Sequence, residues 1–243
     1  MTESSLRCFV PRPGAALRLI CLPHGGGGAS MYAPWPERLP PEIELHAVQY
    51  PGREDRLGDP FPENLGALVD TLADAAMPLA HGRYALFGHS MGATVAYELV
   101  HALVARGAPE PVRLVVSGRE APHDERGGQV HRLDDDGLHK ELMRLGGTTP
   151  EVLESRGLRA MILKYVREDY RLIETYRARD LPPLGCPVSV FLGDADPDLT
   201  VAEASGWRRV TQGPAEVRVF RGGHFYLVPQ RHAVIAALRR ALA

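Results

Sequence analysis

Cysteine is scarce in this 243-residue chain, which also lacks a long apolar run and an excess of charge of one sign. The three cysteines, Cys8, Cys21 and Cys186, are odd in number and have no metal-ligand spacing, so we expect neither a disulfide framework nor a metal site. No apolar run approaches the roughly 20 residues of a membrane helix. Residues 1–7 also lack the basic-then-apolar order of a secretory signal. These absences predict a cytoplasmic protein with no membrane partner.

The charges of the chain nearly cancel. With 28 basic and 30 acidic residues the formal net charge is −2, which provides no field to hold a nucleic acid against salt. Nucleic acid is therefore not expected as a partner. Hydrophobic residues make up 44% of the chain and charged residues 24%, which is ordinary for a globular protein with a sizeable core. The length admits one large domain or two small ones.

Short apolar or β-branched runs alternate with longer helical patterns from about residue 17 onward. This order is typical of an α/β fold, in which helices cover a mostly parallel sheet. The predicted strands are Leu17–Leu22, Ile43–Val48, Tyr84–Phe87, Arg113–Val116, Val188–Leu192 and Val217–Phe220, with Leu6–Val10 at the edge. The predicted helices are Leu65–Leu79, Met91–Ala105, Val201–Val210 and Arg231–Leu242.

One stretch interrupts this alternation. The connection before the strand at Val188 is too long for an ordinary link between elements. Apolar spacing predicts a short amphipathic helix near Leu138–Leu145 and a longer one over Leu158–Leu172, and Thr149-Pro150 is typical of a helix start. We predict a single domain over residues 1–243 with a helical lid insertion at approximately 122–180. A helical subdomain that serves only stability is the alternative.

The pentad Gly88-His89-Ser90-Met91-Gly92 lies between a predicted strand and an apolar helix. In that context a G-x-S-x-G sequence indicates a nucleophile elbow, a tight turn that exposes the serine at the carboxyl end of the sheet. Ser90 is therefore the predicted nucleophile. The first helical turn has free N–H groups, so the Met91 N–H is a predicted oxyanion donor. An incidental turn in a glycine-rich chain is the alternative.

A second oxyanion donor has to come from another loop. Pro23-His24-Gly25-Gly26-Gly27-Gly28 follows a predicted strand, where serine hydrolases carry an H-G-G-G-like loop. We predict the Gly25 N–H as the donor, with the Gly26 N–H as second choice. A flexible turn or a phosphate loop is the alternative, although no G-x-G-x-x-G pattern or Walker lysine accompanies the run.

A serine hydroxyl needs a base to remove its proton. His224 follows the last predicted strand and precedes the last helix, the chain position of the base in an α/β-hydrolase. His24 and His89 lie beside the site within turns that have a structural duty. His101 and His232 lie on helical faces and are expected to be structural or solvated.

The third member of such a site is a carboxylate that fixes the imidazole tautomer. Three aspartates occupy the loop after the Val188–Leu192 strand, between the serine and the histidine in chain order. We predict Asp196 first, because the following proline holds it in extended backbone geometry, then Asp194 and then Asp198. Capping of the next helix is the alternative role, and Asp124 is a more distant candidate.

Several segments form a combined pattern along nearly the whole chain. They are Pro23–Gly27 followed by Tyr32 and Trp35, Tyr50–Arg53 with Arg56, Gly88–Gly92, Leu145–Thr148, Gly193–Pro197 and Gly223–Phe225. Together they resemble the type II thioesterases that accompany polyketide synthases and non-ribosomal peptide synthetases. The chain departs from that family's pattern at Gly25, where alanine is frequent, and this change leaves the backbone donor in place.

The resemblance implies an α/β-hydrolase fold and hydrolysis of aberrant or stalled acyl thioesters on the phosphopantetheine arm of an acyl or peptidyl carrier protein. It implies Ser90 as nucleophile, with no cofactor beyond the arm of the partner. Carrier proteins of this kind are usually acidic, so we hypothesise that Arg53 and Arg56 help to dock one or order the mouth of the pocket; two solvated arginines are the alternative. The rival functions are a general serine carboxylesterase or acyltransferase and a non-catalytic binding module.

Overall fold

Seven strands form one sheet in a computed structural model of the chain, which describes residues 5–124, 127–147 and 156–243. The sheet order is β1-β3-β2-β4-β5-β6-β7, with β1 antiparallel to β3 and every other neighbouring pair parallel. The strands are β1 Leu6–Arg7, β2 Leu17–Leu22, β3 Ile43–Val48, β4 Tyr84–His89, β5 Arg113–Ser117, β6 Val188–Gly193 and β7 Ala215–Phe220.

Helices cover both faces of this sheet. Side chains alternate between the two faces of a strand, and on β4 the neighbours Leu86 and Phe87 accordingly lie in separate hydrophobic clusters. Helices α1 (Leu65–Ala80) and α2 (Met91–Ala105) pack in the cluster of Leu86. The C-terminal helix α6 (Arg231–Leu242) packs in the cluster of Phe87. The parallel strands between them direct their carboxyl ends, and the loops that follow, to one edge.

Several predicted elements begin or end one to three residues away from their observed bounds, such as β4 and β7, and two others differ in a way that has a local reason. Strand β1 ends at Arg7 instead of Val10, where the chain leaves the sheet edge and two prolines, at 11 and 13, cannot donate a ladder hydrogen bond. The predicted helix Val201–Val210 divides into helix α5 (Val201–Ala204) and a 3₁₀ helix (Ser205–Val210). Gly206 lies in the tighter segment, where an added Cβ would stand 2.3 Å from the Asp124 carboxylate.

The long connection between β5 and β6 contains helices α3 (Asp135–Leu145) and α4 (Arg156–Thr175). Asp134 caps α3 by accepting the Gly137 N–H, and α3 ends at Gly146, whose φ of 78° favours glycine. Leu138 of α3 packs in a third cluster with side chains of α4. The predicted helix start at Thr149-Pro150 lies outside the described residues, and the division into one domain with a lid stays a prediction.

Within the described residues, no helix combines the length and the apolar character needed to cross a membrane.

Candidate active site

Ser90 stands at the junction of β4 and α2 with φ 54° and ψ −121°, a strained conformation for a residue with a side chain. Its N–H donates to the Ser117 carbonyl across the strand ends at 2.7 Å. The turn needs glycine on both sides, because an added Cβ at Gly88 would lie 2.1 Å from the Gly92 carbonyl oxygen and one at Gly92 would lie 2.3 Å from the Leu22 carbonyl oxygen. The pentad thus forms the sharp strand-to-helix turn that its sequence predicts.

His224 and Asp196 meet at the carboxyl ends of β7 and β6. The His224 Nδ1–H donates to Asp196 Oδ2 at 2.9 Å, and both side chains are buried. An acceptor at Nδ1 keeps the proton on that nitrogen and leaves Nε2 able to accept one. His224 and Ser90 line the same cavity, so the predicted nucleophile and base are brought together there.

The other candidate carboxylates have different partners. Asp194 Oδ1 accepts the Gly222 N–H at 2.8 Å, which holds the loop that leads to His224. Asp198 pairs with Arg144 at 2.9 Å, and Asp124 pairs with Arg209. Asp196 is therefore the candidate aspartate that contacts His224.

The glycine loop after β2 lies beside the elbow. Gly25 and Met91 both line the cavity with Ser90, and a Cβ added at Gly25 would lie 3.9 Å from the Met91 Cβ. The N–H of Gly26, the second-choice donor, is already donated to Asp169 Oδ2 at 2.6 Å. This contact favours Gly25 over Gly26 as the oxyanion donor; the roles of Gly25 and Met91 stay predictions.

The cavity has a volume of about 380 Å³ and lies between the loops at the carboxyl ends of the strands and helices α3 and α4. The end near Ser90 is lined by the elbow and the loop that carries His224, whereas α3 and α4 supply much of the remaining wall. The apolar side chains of that wall are Leu142, Leu145, Ile162, Val166, Ile173 and Phe225. Charged residues, among them Glu120 and Glu141, also line the cavity. A partly apolar chamber beside a serine can hold a hydrocarbon chain next to a reactive carbonyl.

Two further histidines adjoin the site and are uncharged. Burial, followed by the nearby charges of His224 and Arg53, lowers the pKa of His24 to about 3. Burial likewise holds the pKa of His89 well below its ordinary value. His89 Nδ1 lies 2.9 Å from the Ser117 hydroxyl, which in turn lies 2.7 Å from the Tyr226 hydroxyl, so that His89 joins the elbow to the base loop.

These depressed pKa values make stability depend on pH. Below about pH 6.5 the unfolded chain takes up protons on His24 and His89, whereas the folded chain does not. The free energy of unfolding is therefore at its full value above that pH and decreases below it, by about 1.4 kcal/mol per histidine per pH unit. Between pH 7.5 and 5.5 we expect the wild type to lose about 1 kcal/mol more than a His24→Asn variant. Urea unfolding at both pH values measures this, and the exposed His81→Asn serves as control. Equal losses in wild type and His24→Asn would contradict the assignment.

Arg53 and Arg56 are not surface residues, so the expectations that they dock a carrier protein or are solvated are wrong, while a role in ordering the mouth of the pocket stays a prediction. Their exposed fractions are 3% and 8%. Arg53 forms a bidentate pair with Asp169 of α4, with Nη1 2.5 Å from Oδ2 and Nη2 2.7 Å from Oδ1. Arg56 donates to the Ser5 hydroxyl and pairs with Asp59. Neither guanidinium is therefore placed to dock a carrier protein.

Asp169 was not among the sequence candidates. It lies three residues after Val166 and three before Leu172, on the apolar stripe of its helix, and its side chain is only 3% exposed. A carboxylate on such a stripe needs a buried partner, and this signal could have singled it out.

Among the described residues, the side chains of Cys8, Glu44 and His46 lie close enough to share a metal ion. The Glu44 carboxylate is already engaged, because it accepts the Arg12 N–H at 2.5 Å and contacts Arg18 and His46. The adjacent Arg18 guanidinium opposes a second cation there. This group belongs to the sheet edge formed by β1 and β3, away from the cavity of Ser90.

The sheet, the elbow and the base loop define an α/β-hydrolase. Residues 17–242 match the family model described as "Thioesterase domain", and the chain belongs to this family. The α/β-hydrolase fold and the resemblance to type II thioesterases predicted from the sequence are thus confirmed.

Two named proteins and one solved structure are similar to this chain over most of its length. The "Probable cadicidin biosynthesis thioesterase" of Streptomyces griseus is 42% identical, over 98% of this chain and 65% of that protein. "Thioesterase PikA5" of Streptomyces venezuelae is 43% identical, over 94% of this chain and 82% of that protein. The solved structure of the type II thioesterase BorB from the borrelidin biosynthetic cluster superposes with a TM-score of 0.91 at 41% identity, over 100% and 99% of the two chains.

Proposed function

We propose that this protein is a cytoplasmic serine thioesterase that hydrolyses acyl thioesters on the phosphopantetheine arm of an acyl or peptidyl carrier protein. The observation that carries the proposal is that His224, hydrogen-bonded to the buried side chain of Asp196, lines the same cavity as the strained Ser90. Relatives that bear the names of biosynthetic thioesterases support the same reaction class.

In the acylation step, the Ser90 Oγ attacks the thioester carbonyl carbon and the His224 Nε2 takes the hydroxyl proton. The carbonyl oxygen becomes an oxyanion that accepts the N–H groups of Gly25 and Met91. The C–S bond then breaks, the arm leaves as a thiol with the proton from His224, and the acyl group remains as an ester on Ser90. A thiolate is a good leaving group, so this step needs less acid assistance than cleavage of an amide.

Deacylation repeats the sequence with water. His224 removes a proton from a water molecule as its oxygen attacks the acyl ester, and the same proton returns to the Ser90 oxygen as the acid leaves. The side chains and backbone groups of the chain account for each proton, so we propose that no metal or cofactor takes part. The carrier protein recovers its free thiol, which is how removal of an aberrant or stalled unit would let a synthase continue.

Intact-mass measurement of loaded carrier proteins tests this function. We expect the wild type to return acetyl-, butyryl- and hexanoyl-loaded carriers to the free thiol form, with release of the acid. Binding of the carrier contributes to the transition state, so kcat/KM for the carrier substrate should exceed that for the matching acyl-N-acetylcysteamine by about 10-fold or more. A preference for p-nitrophenyl esters would favour the general esterase instead, and no hydrolysis of any substrate would favour the binding module.

A further inference from the structure

The buried carboxylate of Asp169 joins the helical insertion to the glycine loop. One of its oxygens, Oδ2, accepts both the Gly26 N–H at 2.6 Å and an Arg53 N–H at 2.5 Å, while Oδ1 accepts the second Arg53 N–H at 2.7 Å. Three segments that are far apart in the chain, the loop after β2, the loop after β3 and helix α4, therefore meet at one side chain.

Arg53 holds the carboxylate from the other side. Its guanidinium lies 4.8 Å from the Tyr165 ring centroid and 5.5 Å from that of Tyr50, and Nη1 also donates to the Gly27 carbonyl at 3.1 Å. The same guanidinium thus contacts the glycine loop directly and through Asp169. Because both charged groups are buried, loss of either one would leave the other without its counter-charge.

Steric contacts reinforce this connection. Gly26 has φ +86°, and an added Cβ there would lie 2.8 Å from Val166 Cγ2 on α4. A Cβ added at Gly25 would lie 3.5 Å from the Asp169 Cβ. Helix α4 is therefore packed directly on the loop that carries the predicted oxyanion donor.

We propose that Asp169 and Arg53 are positioning residues for the oxyanion hole. The inference rests on the proposed function. A run of four glycines has more backbone freedom than any other sequence, yet an oxyanion donor has to be held in place before the charge develops. By accepting the Gly26 N–H, Asp169 fixes the peptide plane between Gly25 and Gly26. This plane adjoins the one that carries the Gly25 N–H, so fixing it restricts the directions in which that donor can point. Since Asp169 lies on α4, the oxyanion hole is complete only when the insertion is docked.

Two variants separate this role from a stabilising one. Asp169→Asn removes the negative charge that holds Arg53. It also replaces one of the two acceptor oxygens by an NH₂ group. The double variant Arg53→Met with Asp169→Leu replaces the ion pair by apolar side chains of similar volume, a change that is often neutral or stabilising, while it removes the acceptor for Gly26. Glu98→Gln is the matched control, because Glu98 is also a buried carboxylate paired with an arginine and a tyrosine, Arg179 and Tyr176, at the far side of α2.

We expect both variants to lower kcat for acyl-N-acetylcysteamine by about 10- to 100-fold with KM changed less than about 3-fold, as for a displaced catalytic group. Their affinity for a trifluoromethyl ketone thioether analogue, which forms an oxyanion on Ser90, should fall by the same factor. Glu98→Gln should keep both values. A folded double variant with wild-type kcat, or a loss shared by Glu98→Gln, would overturn the inference.

Hydrogen exchange separates the two proposals. Both Asp169 variants should exchange amide protons in a peptide covering residues 23–31 about 10-fold faster than the wild type or Glu98→Gln. This readout does not depend on catalysis. A wild type without thioesterase activity would refute the proposed function, whereas unchanged exchange in an active enzyme would refute the positioning role.

Discussion

Ser90→Ala is expected to lower thioester hydrolysis by at least about 10⁴-fold, because it removes the atom that forms the acyl ester and leaves only binding and the oxyanion donors. The Met91 N–H and the glycine loop do not depend on the Ser90 hydroxyl, so KM for a loaded carrier protein should stay within about 3-fold of the wild type. Steady-state hydrolysis of an acyl-N-acetylcysteamine and of a loaded carrier protein measures both values.

The control for this variant is Ser205→Ala, which removes an exposed hydroxyl that donates to the Val201 carbonyl outside the cavity. It should hydrolyse thioesters at the wild-type rate. Intact mass after treatment with a fluorophosphonate should show one adduct on the wild type and on Ser205→Ala, and none on Ser90→Ala. Full hydrolytic activity in Ser90→Ala would contradict the assigned nucleophile and revive the binding-module alternative.

Asp196→Asn is expected to lower kcat by about 10³- to 10⁴-fold with little change in KM. Asp196 Oδ2 accepts the His224 Nδ1–H at 2.9 Å. An amide that presents its NH₂ group there would favour the tautomer with the proton on Nε2, which cannot accept the proton of Ser90. An amide also stabilises the imidazolium less than a carboxylate does. Single-turnover measurement with a loaded carrier protein tests the acylation step directly.

The neighbouring aspartates provide controls within the same loop. Asp198→Asn weakens an exposed pair with Arg144 and should keep kcat within about 3-fold, because exposed ion pairs contribute little. Asp194→Asn alters the hydrogen bond to the Gly222 N–H and should lower kcat by at most about 10-fold. A larger loss at either position than at Asp196 would transfer the role of the acid to that residue.

Two buried carboxylates near the site differ in the partner that each one faces. Asp196 and Asp169 both have buried side chains, but the first faces an imidazole that gains a charge in the proposed reaction and the second faces an arginine that is always charged. The first pair can therefore respond to proton transfer, while the second acts as a fixed clamp between the insertion and the glycine loop.

The sequence by itself determined the elements and the elbow. Helices α2 and α6 begin and end where their periodicity predicts, and the elbow around Ser90 follows from two glycines between a strand and a helix. These features depend on local causes, namely side-chain spacing, backbone freedom and free N–H groups at a helix start. His224 was predicted on a different ground, its chain position between the last strand and the last helix, where an α/β-hydrolase places its base.

Only the tertiary structure decided which charged groups meet. Local sequence ranked Asp196 first among three aspartates after β6 without excluding the other two. It left Arg53 as a docking residue, a residue that orders the pocket mouth, or a solvated one. Arg53 and Asp169 are 116 positions apart in the chain, and their pairing arises because α4 folds back over the glycine loop. A buried charge needs a partner of opposite sign that is buried beside it. Which partner that is depends on the packing of distant segments, and a local sequence pattern does not contain this information.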